Sequence, residues 1–222
     1  MSFENAQMEI RDRFSEANSL LIFLRGNSPG PLQPADNNSK SLRGLWIVSL
    51  YAAVERSVNV AIESALAVIS SHKNKSIDCI APIHSIFHFN QIKSVHECGR
   101  NKVFDKSITL FEASLSDSFL SITDNPLAES LQNVDANTMR WALKLFGAPQ
   151  FIANPASVGR INALRERRNA VAHGRESASD VGERYTLDEL TNIYNAADEI
   201  VTAFFMSLQE HCDHQRYLKS SA

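Results

Sequence analysis

Residues 39 to 71 carry apolar side chains on more than one face of a helix. Leu42, Leu45, Trp46, Val48, Leu50, Tyr51, Val54, Val58, Ile62, Leu66 and Ile69 do not fit a single stripe. A helix apolar on most sides must be surrounded, so this segment predicts the middle of a helical bundle. Glu55 and Arg56 interrupt it at mid-length. A carboxylate on such a helix needs a partner, because burying it alone is costly.

The rest of the chain repeats the helical period, and short alternating runs of strand type are hard to find. A first helix is expected over Phe3–Leu24, then a Gly-, Pro- and Asn-rich loop from Gly26 to Asn38. Further helices are expected over Ile80–Phe89, Lys106–Leu120 and Asp135–Phe146, the last stopped by Gly147, with a loop at His96–Asn101. Asn154-Pro155 opens another helix as cap and first turn, and it runs to His173 with Gly174 as its stop. A polar loop is expected at Arg175–Arg184. The last helix starts near Thr186 and keeps a 3-4 spacing through Leu187, Leu190, Tyr194, Ala197, Val201, Phe204 and Leu208. The expectation is one all-α domain over residues 1–222, a bundle with two long central helices and shorter flanking ones.

Composition excludes some classes. The formal net charge of −3 argues against coating nucleic acid through a global field, while leaving room for a local basic site. Three cysteines, Cys79, Cys98 and Cys212, form no C-x-x-C pair and read as thiols of a reducing compartment. The N-terminus lacks a signal-peptide apolar core, and the apolar stretch Leu45–Val54 is too short to span a bilayer. A soluble cytoplasmic protein is therefore expected, with no membrane partner. Phosphate-binding glycine loops and the G-x-S-x-G elbow are absent. His84 and His88 stand four apart with Cys79, His96 and Cys98 nearby, but no pair has zinc-finger or ribbon spacing, so no metal or other cofactor is expected. Trp46 and Trp141 read as core residues, and His211 and His214 as solvated tail residues.

One segment resists a purely structural reading. In the helix ending at His173, Ile161, Leu164 and Val171 share a stripe, and Arg168 lies within roughly 60° of all three. A permanent cation there must meet a carboxylate, a phosphate or another chain. Asn169 and His173, four apart, share a second face. Five arginines and one glutamate between Arg160 and Arg175 form a local excess of positive charge, with Arg165, Arg167 and Arg175 beside the pair. A plain helix ending stays open as an alternative, because cations near a C-terminus complement the helix dipole.

The segment R-N-A-V-A-H, Arg168 to His173, resembles the R-x-x-x-x-H signature of the HEPN superfamily (higher eukaryotes and prokaryotes nucleotide-binding domains), with Asn169 at the polar second place. The segment LRGLWIVSLYAAVERSV, Leu42 to Val58, resembles the second helix of bacterial stand-alone HEPN proteins. The resemblance implies an all-helical bundle and a metal-independent endoribonuclease, acting as a toxin or antiviral defence effector, with two motif copies facing across a homodimer. It implies Arg168 and His173 as the catalytic pair and Asn169 as the supporting polar residue. Arg165, Arg167 and Arg175 are candidates for RNA contact, and an antitoxin or regulatory protein is a possible partner. Independently of the motif, Glu55 is the candidate partner that orients Arg168. The alternatives are a non-catalytic HEPN-type module binding RNA, a nucleotide or a protein, and a helical scaffold in which Arg168 only pairs with Glu55.

Overall fold

The computed structural model describes residues 2–27, 35–151 and 153–220. Most of the loop expected at Gly26–Asn38 lies outside them. The helices are α1 (Phe3–Gly26), α2 (Asn37–Ser71), α3 (Ala81–Phe87), α4 (Phe89–Glu97), α5 (Val103–Ser114), α6 (Ala136–Phe146), α7 (Pro155–Ala172), α8 (Ala178–Glu183) and α9 (Leu187–Asp213). No strand occurs among the described residues; two isolated antiparallel bridges join Lys75 to Phe119 and Cys79 to Leu218. This is the all-α bundle that the periodicity predicts.

Helix α2 is its axis. Asp36 caps it by accepting from Ser39 N, and α1, α7, α8 and α9 all pack on it. Leu50, Val54, Val58, Ile62 and Ile69 are completely buried. One window of α2 reaches a mean hydropathy of 1.3, long and apolar enough to cross a membrane, yet 61% of that window is buried against other helices. The second long helix, α9, begins with a Thr186/Glu189 capping box and buries Leu190, Ala197, Ile200, Val201, Phe204 and Leu208. Helix α7 lies against both α2 and α9. Trp46 is core, its indole N–H donating to Ala17 O at 2.8 Å.

Five local readings need correction. The polar stretch 175–184 contains α8, opened by a Ser177/Asp180 capping box. Its helix is too short to show a period, but it crosses α2 very closely: a Cβ on Gly44 would lie 1.9 Å from Ala178 O, and one on Gly182 1.9 Å from Lys40 O. Only glycine allows that approach. The stretch expected as one helix at Ile80–Phe89 is two, broken at His88, and α4 carries on to Glu97 through part of the expected loop. The helix expected at Lys106–Leu120 is α5, which starts earlier and stops at Ser114. Ser116, Ser118 and Leu120 instead pair by backbone with Ile77, Ser76 and Asn74, and a run of serines with an aspartate favours such local turns over helix. Trp141 is 39% exposed, because it lies about 200° round α6 from Met139, whose face is buried. His211 is buried, because it follows Leu208 by three on the buried stripe of α9 and Tyr217 folds back beside it.

Candidate active site

Helix α7 starts at Asn154, whose side chain accepts from Ala156 N, with Pro155 in the first turn. It ends in a Schellman motif. Gly174 adopts φ 67°, Gly174 N donates to Val171 O at 3.1 Å, and Arg175 N donates to Ala170 O at 2.9 Å. His173 is the C-cap residue, its backbone N–H bonded to Asn169 O at 3.1 Å, and its side chain is exposed. The stripe of Ile161 and Leu164 is buried, and Arg168 on that stripe leaves only 17% of its side chain exposed.

Arg168 points at α2. Its Nη2 donates to Glu55 Oε2 at 2.8 Å and reaches Gln132 O at 3.4 Å. The guanidinium carbon lies 4.0 Å from the centre of the Tyr51 ring. Tyr51 and Glu55 are one helical turn apart on α2, so one face supplies a π surface and a carboxylate to the same cation. The Tyr51 hydroxyl donates to Val134 O at 3.1 Å. Burial pushes the Glu55 carboxyl up from its ordinary value, and the charge of Arg168 pulls it back. Burial also raises the Tyr51 phenol.

Asn169 Nδ2 donates to Asn133 Oδ1 at 3.3 Å. Within the described residues, the buried Arg168 Nε and Asn169 Oδ1 have no hydrogen-bond partner. Buried polar atoms are normally paired, so two orphans on adjacent motif residues are unusual.

The flanking arginines differ from one another. Arg165 forms an ion pair with Asp135, the N-cap of α6, and is largely buried there. Arg167 lies 3.5 Å from Glu176, which also pairs with Arg184. Arg175 is exposed and makes no ion pair among the described residues. The structure thus gathers Arg168, Glu55 and Asn169 with Tyr51, Gln132 and Asn133, and sets His173 apart on the surface. Tyr51, Gln132 and Asn133 escaped the sequence reading. The spacing of Tyr51 and Glu55 was a usable signal for the first; nothing in the sequence marks the other two.

Elsewhere, His84 and His88 stack with ring centres 5.5 Å apart, and His88 Nε2 is 2.9 Å from Ser76 Oγ. Among the described residues no group of three His, Cys, Asp or Glu side chains is placed to hold a metal. Burial pushes the Cys79 thiol up to about 11 and the Cys212 thiol up to about 12, so both are protonated packing residues near neutral pH.

An all-helical bundle with Arg168-Asn169 and His173 closing a late helix defines a HEPN-type domain. A family model described as RiboL-PSP-HEPN matches residues 8–210, and the chain belongs to that family. Neither the curated proteins nor the solved structures gave a match.

Proposed function

We propose that the protein is a metal-independent HEPN endoribonuclease that cuts RNA at a cleft shared by two copies of the chain. The observation that carries this reading is the state of the motif. Arg168 and Asn169 are held in place with unpaired polar atoms, and His173 stands exposed one turn beyond Asn169. Arg168 and His173 are five residues apart, about 140° round the helix, so one copy does not set them side by side. A two-fold pairing brings two of each to one cleft.

Cleavage without metal requires removal of the 2′-OH proton, protonation of the leaving 5′-oxygen and neutralisation of the phosphorane. A histidine from each copy suits the two proton transfers. Arg168 suits the phosphate oxygens, being permanently charged and pre-oriented by Glu55 and Tyr51. Arg175, exposed and without an ion-pair partner among the described residues, is the first candidate for contact with the RNA backbone, followed by Arg167. Arg165 is already engaged by Asp135. In the cell such an enzyme acts as a toxin or antiviral effector, held in check by an antitoxin or regulatory protein.

A second reading is a non-catalytic HEPN-type module for RNA, nucleotide or protein. The ion pairs of Arg165, Arg167 and Arg168 with carboxylates, in a chain of net charge −3, favour it. One assay separates the two: purified wild type, His173→Ala and Arg168→Ala on labelled RNA, with and without EDTA. Cleavage by the wild type that survives EDTA and falls at least a hundredfold in both variants supports the nuclease. RNA binding without cleavage supports the module. Equal cleavage by all three proteins sinks the nuclease reading.

A further inference from the structure

Helix α5 has its apolar side outward. Phe104, Ile108, Phe111 and Leu115 are exposed by 80, 55, 62 and 61%. Their spacing is 4, 3 and 4, the seam spacing with which one helix packs on another. The half-buried residues of α5, which meets α4 and the turns at Ser76–Asp78 and Arg100–Lys102, are Val103, Ser107, Leu110, Ala113 and Ser114. The larger apolar surface is thus the one this chain leaves uncovered. Contiguous exposed apolar surface of this kind marks an interaction site.

The flank of the seam gives the chemistry of the occupant. Asp105 and Glu112 lie about 80° from its centre, on the side away from α4. Both are exposed, and neither makes an ion pair among the described residues. Lys106 points about 170° away from the seam, and Arg100 and Lys102 precede the helix. An antiparallel pairing of two α5 helices would set the Asp105 edge of one copy against the Glu112 edge of the other, like charge on like. An anionic lipid surface is repelled by the same two carboxylates. We infer that α5 is the docking face for an amphipathic helix of another protein, with apolar residues at 3-4 spacing and lysine or arginine along the flank that meets Asp105 and Glu112. Apolar burial supplies the affinity, and the acidic flank supplies direction and choice of partner.

The test uses the full chain and two synthetic helical peptides with the same apolar stripe, one flanked by lysines and one by glutamates. Fluorescence anisotropy should show the lysine-flanked peptide binding at least tenfold more tightly. Phe111→Asp should lose that binding at least tenfold, with an unchanged circular dichroism spectrum and melting temperature. Asp105→Lys with Glu112→Lys should reverse the preference. Binding of neither peptide, or of both equally, overturns the inference. So does a wild-type dimer that Phe111→Asp dissociates in sedimentation, or wild-type binding to phosphatidylglycerol vesicles that the same substitution abolishes.

Discussion

On α2, Leu50, Val54, Val58 and Ile62 are completely buried; on α5 and its C-cap, Phe104, Ile108, Phe111 and Leu115 are each more than half exposed. The two helices use the same kinds of side chain at helical spacing. They differ in what the rest of the chain brings to them. Four helices converge on α2, while α5 meets α4 and two short turns. Apolar periodicity therefore tells that a face is to be covered, not that its own chain covers it.

The sharpest way to break this comparison is by truncation at the buried end. Leu50→Ala should cost about 2–5 kcal/mol of unfolding free energy, as large-to-small changes do in a closed core. A loss no larger than that of a surface change, read from denaturant midpoints, would mean that α2 is not the axis of the bundle.

Next in size is the cation on the α2 face. In a double-mutant cycle of Arg168→Met and Glu55→Gln, the coupling should be about 0.5–3 kcal/mol, favourable to the pair. Additive losses would show that Tyr51 and the surrounding backbone hold Arg168 without help from the carboxylate.

Acid should act on the seam between the two regions. His84 and His88 lie at the root of the α4–α5 hairpin, and His211 is buried on α9. Burial lowers all three below the ordinary 6.5, so the unfolded chain binds more protons than the folded one as pH falls. Stability should be full above about 6.5 and decline as pH drops through the lowered folded values. The urea midpoint should hold between pH 7.5 and about 6.5 and fall from there to pH 5.5, and hydrogen exchange should quicken in α4 and α5 over that lower range. A flat midpoint would contradict the burial of these rings.

The smallest effect belongs to α5 itself. Phe104→Ala should change stability by no more than about 0.5 kcal/mol in the isolated protein, as exposed positions do. A loss near that of Leu50→Ala would place Phe104 under cover in solution.

Most of the bundle was legible in the sequence, because long helices repeat their pattern often enough to be read. Asn154-Pro155 and Gly174 marked both ends of α7 correctly, and the 3-4 spacing of Leu190 to Leu208 drew α9. The misreadings lie where pattern is short or where the third dimension decides. Helix α8 has a single turn and a half, and its packing depends on two glycines that carry no periodicity. Trp141 reads as core because it lies on an apolar helix, but its angle round α6 sets it opposite Met139. His211 stands at a tail position in the sequence, yet it continues the α9 stripe. For the site, the helical wheel alone singles out Arg168 as needing a carboxylate, a phosphate or another chain. It could not supply Gln132 and Asn133, which arrive from an irregular segment whose course only the fold fixes.

Glu55 and Arg168 are separated by 113 residues. The chain is made from its N-terminus, so α2 is finished well before α7 exists. Throughout that interval Tyr51 and Glu55 have no cation to hold, and the groups proposed for RNA cleavage cannot be arranged. A protein of this kind, translated from the very class of molecule it is proposed to cut, stays harmless to its own message until α7 has been made. Under the proposed function, timing of synthesis guards the template.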